Sequence, residues 1–83
     1  MKRPYFPEMH VTVKCFATLN RFQPAESEAY PFAQGETVAD LISRLGIAQK
    51  DVAVLFVNGV HAQPEQTLAH GDRVGLFPAV GGG

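Results

Sequence analysis

Between residues 9 and 17 apolar and polar positions alternate. A period of two places Val11, Val13, Cys15 and Ala17 on one side and Thr12, Lys14 and Phe16 on the other, which predicts a half-buried strand. Ala29 to Ala33 predicts a second strand, short or at a sheet edge, because Pro31 cannot donate to a ladder. After the Gln34-Gly35-Glu36 turn the period lengthens: Val38, Leu41, Ile42 and Leu45 follow i, i+3, i+4, i+7 and form one apolar helical face. Thr37 can cap this helix, with Asp40 three residues on as a short-armed relative of the capping box. Gly46 supplies a left-handed stop. A helix of about ten residues is marginal alone and needs a sheet to pack against. Val52 to Val57 is an unbroken apolar run, which predicts a buried strand. Asn58-Gly59 is a strong hairpin signal. The return strand runs from Val60 to Gln63 and is closed by Pro64. Glu65 to Asp72 forms a loop. The last strand runs from Arg73 to Phe77, with Val74 and Leu76 on one face and Gly75 and Phe77 on the other.

The ends differ in kind from the middle. Pro4 and Pro7 oppose regular pairing, so residues 1–8 are expected as a loose arm. Asn20 to Glu28 is polar, contains Pro24 and is expected as a connection. One domain, residues 9–78, then leads to a tail, residues 79–83. Two hairpins flank one helix with a single apolar face. The simplest packing is an α+β roll: a mixed sheet of four to five strands with the helix across one face. A right-handed crossover sets the first and last strands parallel and adjacent in the middle.

Composition narrows the functions. With 83 residues the chain supports one small domain and a thin core, so a large internal cavity is not expected. Seven Lys/Arg against eight Asp/Glu leave a formal charge of −1, with no basic cluster of the kind that binds nucleic acid. Cys15 is the only cysteine, which excludes an intramolecular disulfide and a cysteine-based zinc site. It is expected as a small buried hydrophobe. The apolar run at Val52–Val57 is too short to span a membrane, and no signal-peptide pattern follows Lys2 and Arg3. A cytoplasmic protein is the expectation.

Few side chains offer chemistry. His10, His61 and His70 lack metal-ligand spacing and are expected at the surface. Asp72 fits a turn residue bonding backbone. Asp40 and Arg44 are spaced as a solvated helix pair. What remains is the end of the chain, Phe77-Pro78-Ala79-Val80-Gly81-Gly82-Gly83. No side chain in the glycine run can react, so a functional end must work through the Gly83 carboxylate. Glycines suit close backbone approach to another surface.

Five segments in register carry a resemblance. They are Val11 to Leu19, Thr37-Val38-Ala39-Asp40-Leu41, Phe56-Val57-Asn58-Gly59, Leu68 with Gly71-Asp72-Arg73-Val74, and Leu76-Phe77-Pro78-Ala79-Val80-Gly81-Gly82. Together the chain resembles the MoaD/ThiS family of sulfur carriers, which have the β-grasp (ubiquitin-like) fold. Its Phe-Pro-x-Val ending is closer to the small subunit of molybdopterin synthase. Ala79 stands where that branch has a second proline, and Gly83 extends the usual glycine pair.

The resemblance implies a carrier, not an enzyme. The Gly83 carboxylate, reached through Gly81 and Gly82, would be adenylated by a ubiquitin-activating-like adenylyltransferase of the MoeB/ThiF type. That partner would supply ATP and magnesium; the carrier itself would bind no cofactor and no metal. A persulfide donor would then displace AMP and leave a thiocarboxylate. In this branch the implied acceptor is a pterin precursor on the large subunit of molybdopterin synthase. Phe77, Pro78, Val80 and Phe16 are the expected partner-binding residues, with Val54 or Phe56 beside them. The same activated tail would also serve a protein modifier that forms isopeptide bonds, or a carrier for thiamine or another pathway. A β-grasp binding module with an inert tail is the third possibility.

Overall fold

The computed structural model describes the backbone of residues 5–79 and the side chains of residues 9–79. Five strands form one sheet: β1 (Tyr5–Cys15), β2 (Tyr30–Ala33), β3 (Val52–Val57), β4 (Val60–His61) and β5 (Arg73–Pro78). Their order is β2-β1-β5-β3-β4. As the pattern predicts, β1 and β5 lie side by side and parallel, with Val13 opposite Val74 and Cys15 opposite Leu76. The outer pairings are antiparallel.

One helix, α1 (Val38–Arg44), packs its apolar stripe on one sheet face. Val38, Leu41 and Ile42 from the helix meet Val11, Val13, Val74, Leu76 and Phe32 from the sheet in a single buried cluster. The alternation in β1 and β5 selects these residues, because successive strand side chains point to opposite faces. The capping box closes with both bonds: Asp40 N–H donates to Thr37 Oγ1 at 3.2 Å, and Thr37 N–H donates to Asp40 Oδ2 at 3.0 Å. Two further N-terminal amides of the helix, on Val38 and Ala39, donate to the carbonyls of Gln66 and Pro64. The long loop after β4 is thereby fastened to the helix start, which meets part of the helix's need for outside partners.

Several boundaries differ from the sequence expectation. β1 begins at Tyr5, so residues 5–8 are strand; Tyr5 pairs with Ala33, and the register shifts between Tyr5 and His10. An irregular register of this kind, where β1 pairs with β2 alone, admits a proline that a regular ladder would refuse. Residues 1–4 of the expected arm lie outside the described residues. At the other end β1 stops at Cys15. Ala17 does not continue the buried face: it takes φ 53 and opens a 3-10 helix, Ala17–Phe22, within what the sequence suggests is strand and plain connection. Leu19 from that helix joins the core. The β4 strand is only Val60–His61.

Among the described residues two charged side chains are buried, Glu36 and Asp72, and Glu36 is the one with an ion-pair partner. The Glu36 side chain is 8% exposed. It accepts from Ala33 N–H at 2.7 Å and from the Arg44 guanidinium at 2.8 Å. Arg44 also donates to the Pro31 carbonyl and lies over the Tyr30 ring, 4.9 Å from its centroid. The end of α1 is thus tied to edge strand β2.

Candidate functional site

Among the described residues no element covers the sheet face opposite α1, and its chemistry is aromatic. In the parallel register Cys15 faces Leu76, so the next residues, Phe16 and Phe77, meet on the open side. Their rings stack with centroids 4.3 Å apart and planes 2° apart. The frame of β3 follows from burial: Leu55 and Val57 are buried, which turns Val54 and Phe56 outward. Phe56 sets its ring against Phe77 edge-on, at 5.7 Å and 85°, and His61 meets Phe56 in the same manner.

Gly75 lies between Lys14 and Phe56 in the register. It carries no side chain under the stack. A Cβ there would sit 3.5 Å from the Phe16 ring and 3.6 Å from the Phe77 ring. The result is a shallow hollow of about 250 Å³, floored by Gly75, walled by Phe16, Phe56 and Phe77, and edged by Lys14 and Arg73. Phe16 remains 41% exposed. An exposed aromatic cluster with a cationic rim is the usual composition of a protein-binding surface.

The strand that carries Phe77 is held at its start. Asn58, at φ 56 in the β3–β4 turn, donates through Nδ2 to Asp72 Oδ1 at 2.9 Å. Its Oδ1 accepts from Arg73 N–H, also at 2.9 Å. Asp72 Oδ2 accepts from Ala69 N–H. Asp72 is therefore a backbone-fastening turn residue, as its place after Gly71 suggests. His70 Nδ1 accepts from His10 N–H at 3.1 Å, which secures the same loop to β1. Among the described residues no group of three or more His, Cys, Asp or Glu is arranged to hold a metal. No described helix is long and apolar enough to cross a membrane. Burial pushes the Cys15 thiol up from its ordinary pKa of 9.0, in keeping with a packed rather than a reactive thiol.

Strand β5 ends at Pro78, opposite Val52, and Ala79 is exposed beyond it. Val80, Gly81, Gly82 and Gly83, the remaining expected site residues, lie outside the described residues. Of the site residues within them, Phe16 and Phe77 meet on the open face, where Phe56 joins them, and Pro78 follows Phe77 at the end of β5 but borders the opposite side. Sequence reasoning missed Gly75 as the floor and His61 as an edge partner. Both are recoverable once β3, β4 and β5 are put in register. It also missed a second hollow on the other side of the tail root, lined by Arg21 and Lys50. That one depends on the 3-10 helix Ala17–Phe22, which the strand alternation running into Ala17 conceals.

Comparison with known proteins agrees with this architecture. The crystal structure of H. volcanii small archaeal modifier protein 1 is similar, with a TM-score of 0.64 and 25% sequence identity, over 87% of this chain and 99% of that one. Comparison with curated proteins gives no match. The family model of the ThiS family matches residues 13–83, from the first strand through the final glycine. With a mixed sheet, one helix laid across it and a match over that span, the chain belongs to the ThiS family, the β-grasp, ubiquitin-like group of small carriers and modifiers.

Proposed function

We propose that this protein is a sulfur carrier whose Gly83 carboxylate is activated and loaded by partner enzymes. The observation that carries the reading is the ThiS-family match extending through the glycine tail, joined to an exposed aromatic face at the root of that tail. The domain supplies a rigid docking body; the tail supplies a carboxylate on a chain end without side chains.

The chemistry balances in three steps. A Gly83 carboxylate oxygen attacks the α-phosphorus of ATP and expels pyrophosphate, giving an acyl-adenylate. The activating enzyme contributes the nucleotide, magnesium and charge stabilisation. A persulfide on a donor protein attacks the acyl carbon and expels AMP, giving an acyl disulfide. A thiolate then attacks the donor-side sulfur, and the acyl-side sulfur leaves as the thiocarboxylate. Within this reading the aromatic face grips the activating enzyme first and the sulfur acceptor later. The Phe-Pro-x-Val ending favours a pterin precursor on the large subunit of molybdopterin synthase as acceptor. ATP and persulfide donors place this chemistry in the cytoplasm.

The structural similarity to a small archaeal modifier protein favours a second use of the same activated tail, transfer to lysine amines. Intact mass of the protein incubated with an activating enzyme, ATP and a persulfide donor separates the two. Replacement of one carboxylate oxygen by sulfur on the C-terminal peptide is expected for the carrier. High-mass conjugates that vanish when the tail is deleted are expected for the modifier. The absence of both products overturns both readings.

A further inference from the structure

The end of β5 has two sides. Phe77 and Pro78 are successive strand residues, so they face opposite ways. Phe77 belongs to the aromatic face. Pro78 and Ala79 border a separate hollow of about 360 Å³ between the two 3-10 helices, Ala17–Phe22 and Gln49–Asp51. Its apolar lining is Phe22 and Pro78, with Leu19 buried beneath them, and its rim carries Arg21, Lys50 and Asp51. The Arg21 guanidinium is set over the Phe22 ring, 4.9 Å from the centroid. Lys50 approaches Asp51 at 3.7 Å, but both side chains are largely exposed, so this contact is screened and easily exchanged.

We propose that this hollow is a docking subsite for an acidic segment of the protein that receives the tail, a carboxylate-bearing side chain pairing with Arg21 and Lys50 while an apolar neighbour rests on Phe22 and Pro78. The proposal rests on the reading that the tail enters a partner's active site. Two arguments select this occupant. The charged lining is two cations, Arg21 and Lys50, against one anion, Asp51, and this net positive charge beside Phe22 and Pro78 complements an acidic segment with an apolar residue, whose carboxylate would take the place of Asp51 on Lys50. The hollow also adjoins the tail root opposite the aromatic face, so a partner that encloses the tail must cover it. Rim charges of this kind act mainly on encounter and register.

The direct test uses the ¹⁵N-labelled full chain and a blocked Glu-Leu-Glu-Glu peptide at low salt. Amide shifts are expected at Thr18, Arg21 and Asp51, lost in Arg21→Glu/Lys50→Glu and in the milder Arg21→Gln/Lys50→Gln. The proposal is overturned by shifts confined to the Phe16–Phe77 face, by equal shifts with a Lys-Leu-Lys-Lys peptide, or by none. It is also overturned if deleting residues 80–83 shifts the hollow's amides without peptide and alone permits peptide binding, since the tail is then the occupant. In adenylation by the activating enzyme, the Glu pair is expected to raise KM about tenfold with kcat unchanged, an effect that shrinks as salt screens the charges. Absence of adenylation in the unaltered chain would refute the carrier and modifier readings, while the peptide titration would still decide the hollow.

Discussion

The rings of Phe16 and Phe77 lie face to face, 4.3 Å apart and within 2° of parallel, although 60 residues separate the two in the chain. The parallel pairing of those strands, not local sequence, brings them together. Aromatic pairs contribute about 0.5–1.5 kcal/mol beyond their area. A double-mutant cycle with Phe16→Ala and Phe77→Ala, read by urea denaturation, is expected to show coupling in that range. Both single variants are expected to weaken partner binding; a Phe77→Ala chain that is adenylated with unchanged KM would remove this face from the docking surface.

Gly75 provides a graded probe of the same face. A Cβ at ordinary contact distance from both rings fits, so Gly75→Ala is expected to fold and bind nearly as before. A branched side chain must displace the stack, and Gly75→Val is expected to retain the fold while losing affinity for the activating enzyme. Circular dichroism with binding calorimetry distinguishes this from simple unfolding.

The Glu36–Arg44 pair supports the helix from the edge strand. Removing the guanidinium in Arg44→Met leaves a buried carboxylate with only the Ala33 N–H among its two named donors. Hydrogen bonds to charged groups contribute about 1.5–3 kcal/mol, and the partly exposed Arg44 side favours the lower end. Urea titration is expected to show that loss with adenylation intact in the folded fraction.

Much of this was legible in the residues, and what was hidden had a physical cause. The β1 alternation, the α1 stripe, its cap and the Asn58-Gly59 turn are local signals, and each identified its element. The sheet order followed from them by chain connectivity. Glu36 was not legible: its partner is eight residues away, outside the three- and four-residue spacings of a helix face. The 3-10 helix at Ala17–Phe22 was hidden because strand alternation runs smoothly into it until Ala17 turns to positive φ. Arg21, and with it the second hollow, was lost for the same reason.

Cys15 gives a pH signature. Its thiol is pushed above 9.0 in the folded chain by burial, whereas the unfolded chain ionises near that value. Above it the unfolded state binds fewer protons, so the stabilising contribution is full below the unfolded pKa and is lost as pH rises through the folded one. Alkaline denaturation is expected to be shallower in Cys15→Ala than in the unaltered chain. Thiol reagents are expected to react at the rate of opening, not at the rate of a free thiol.

The tail itself is tested by Gly82→Val. A Cβ and a branched side chain obstruct entry into a narrow active site without touching the core. Thermal stability is expected to be unchanged and adenylation abolished; normal charging by the activating enzyme would show that the tail does not thread.

The parallel pairing of β1 with β5 also has a mechanical consequence. The chain enters β1 at one end of the sheet and leaves β5 at the opposite end, so tension between the N-terminal segment and the tail slides the two strands along each other. Hydrogen bonds loaded in shear must yield together, whereas bonds in a peeled hairpin yield one at a time. Under the proposed function, a pull on the tail would therefore load the central strand that bears Phe77 in the direction in which its pairing with β1 resists most.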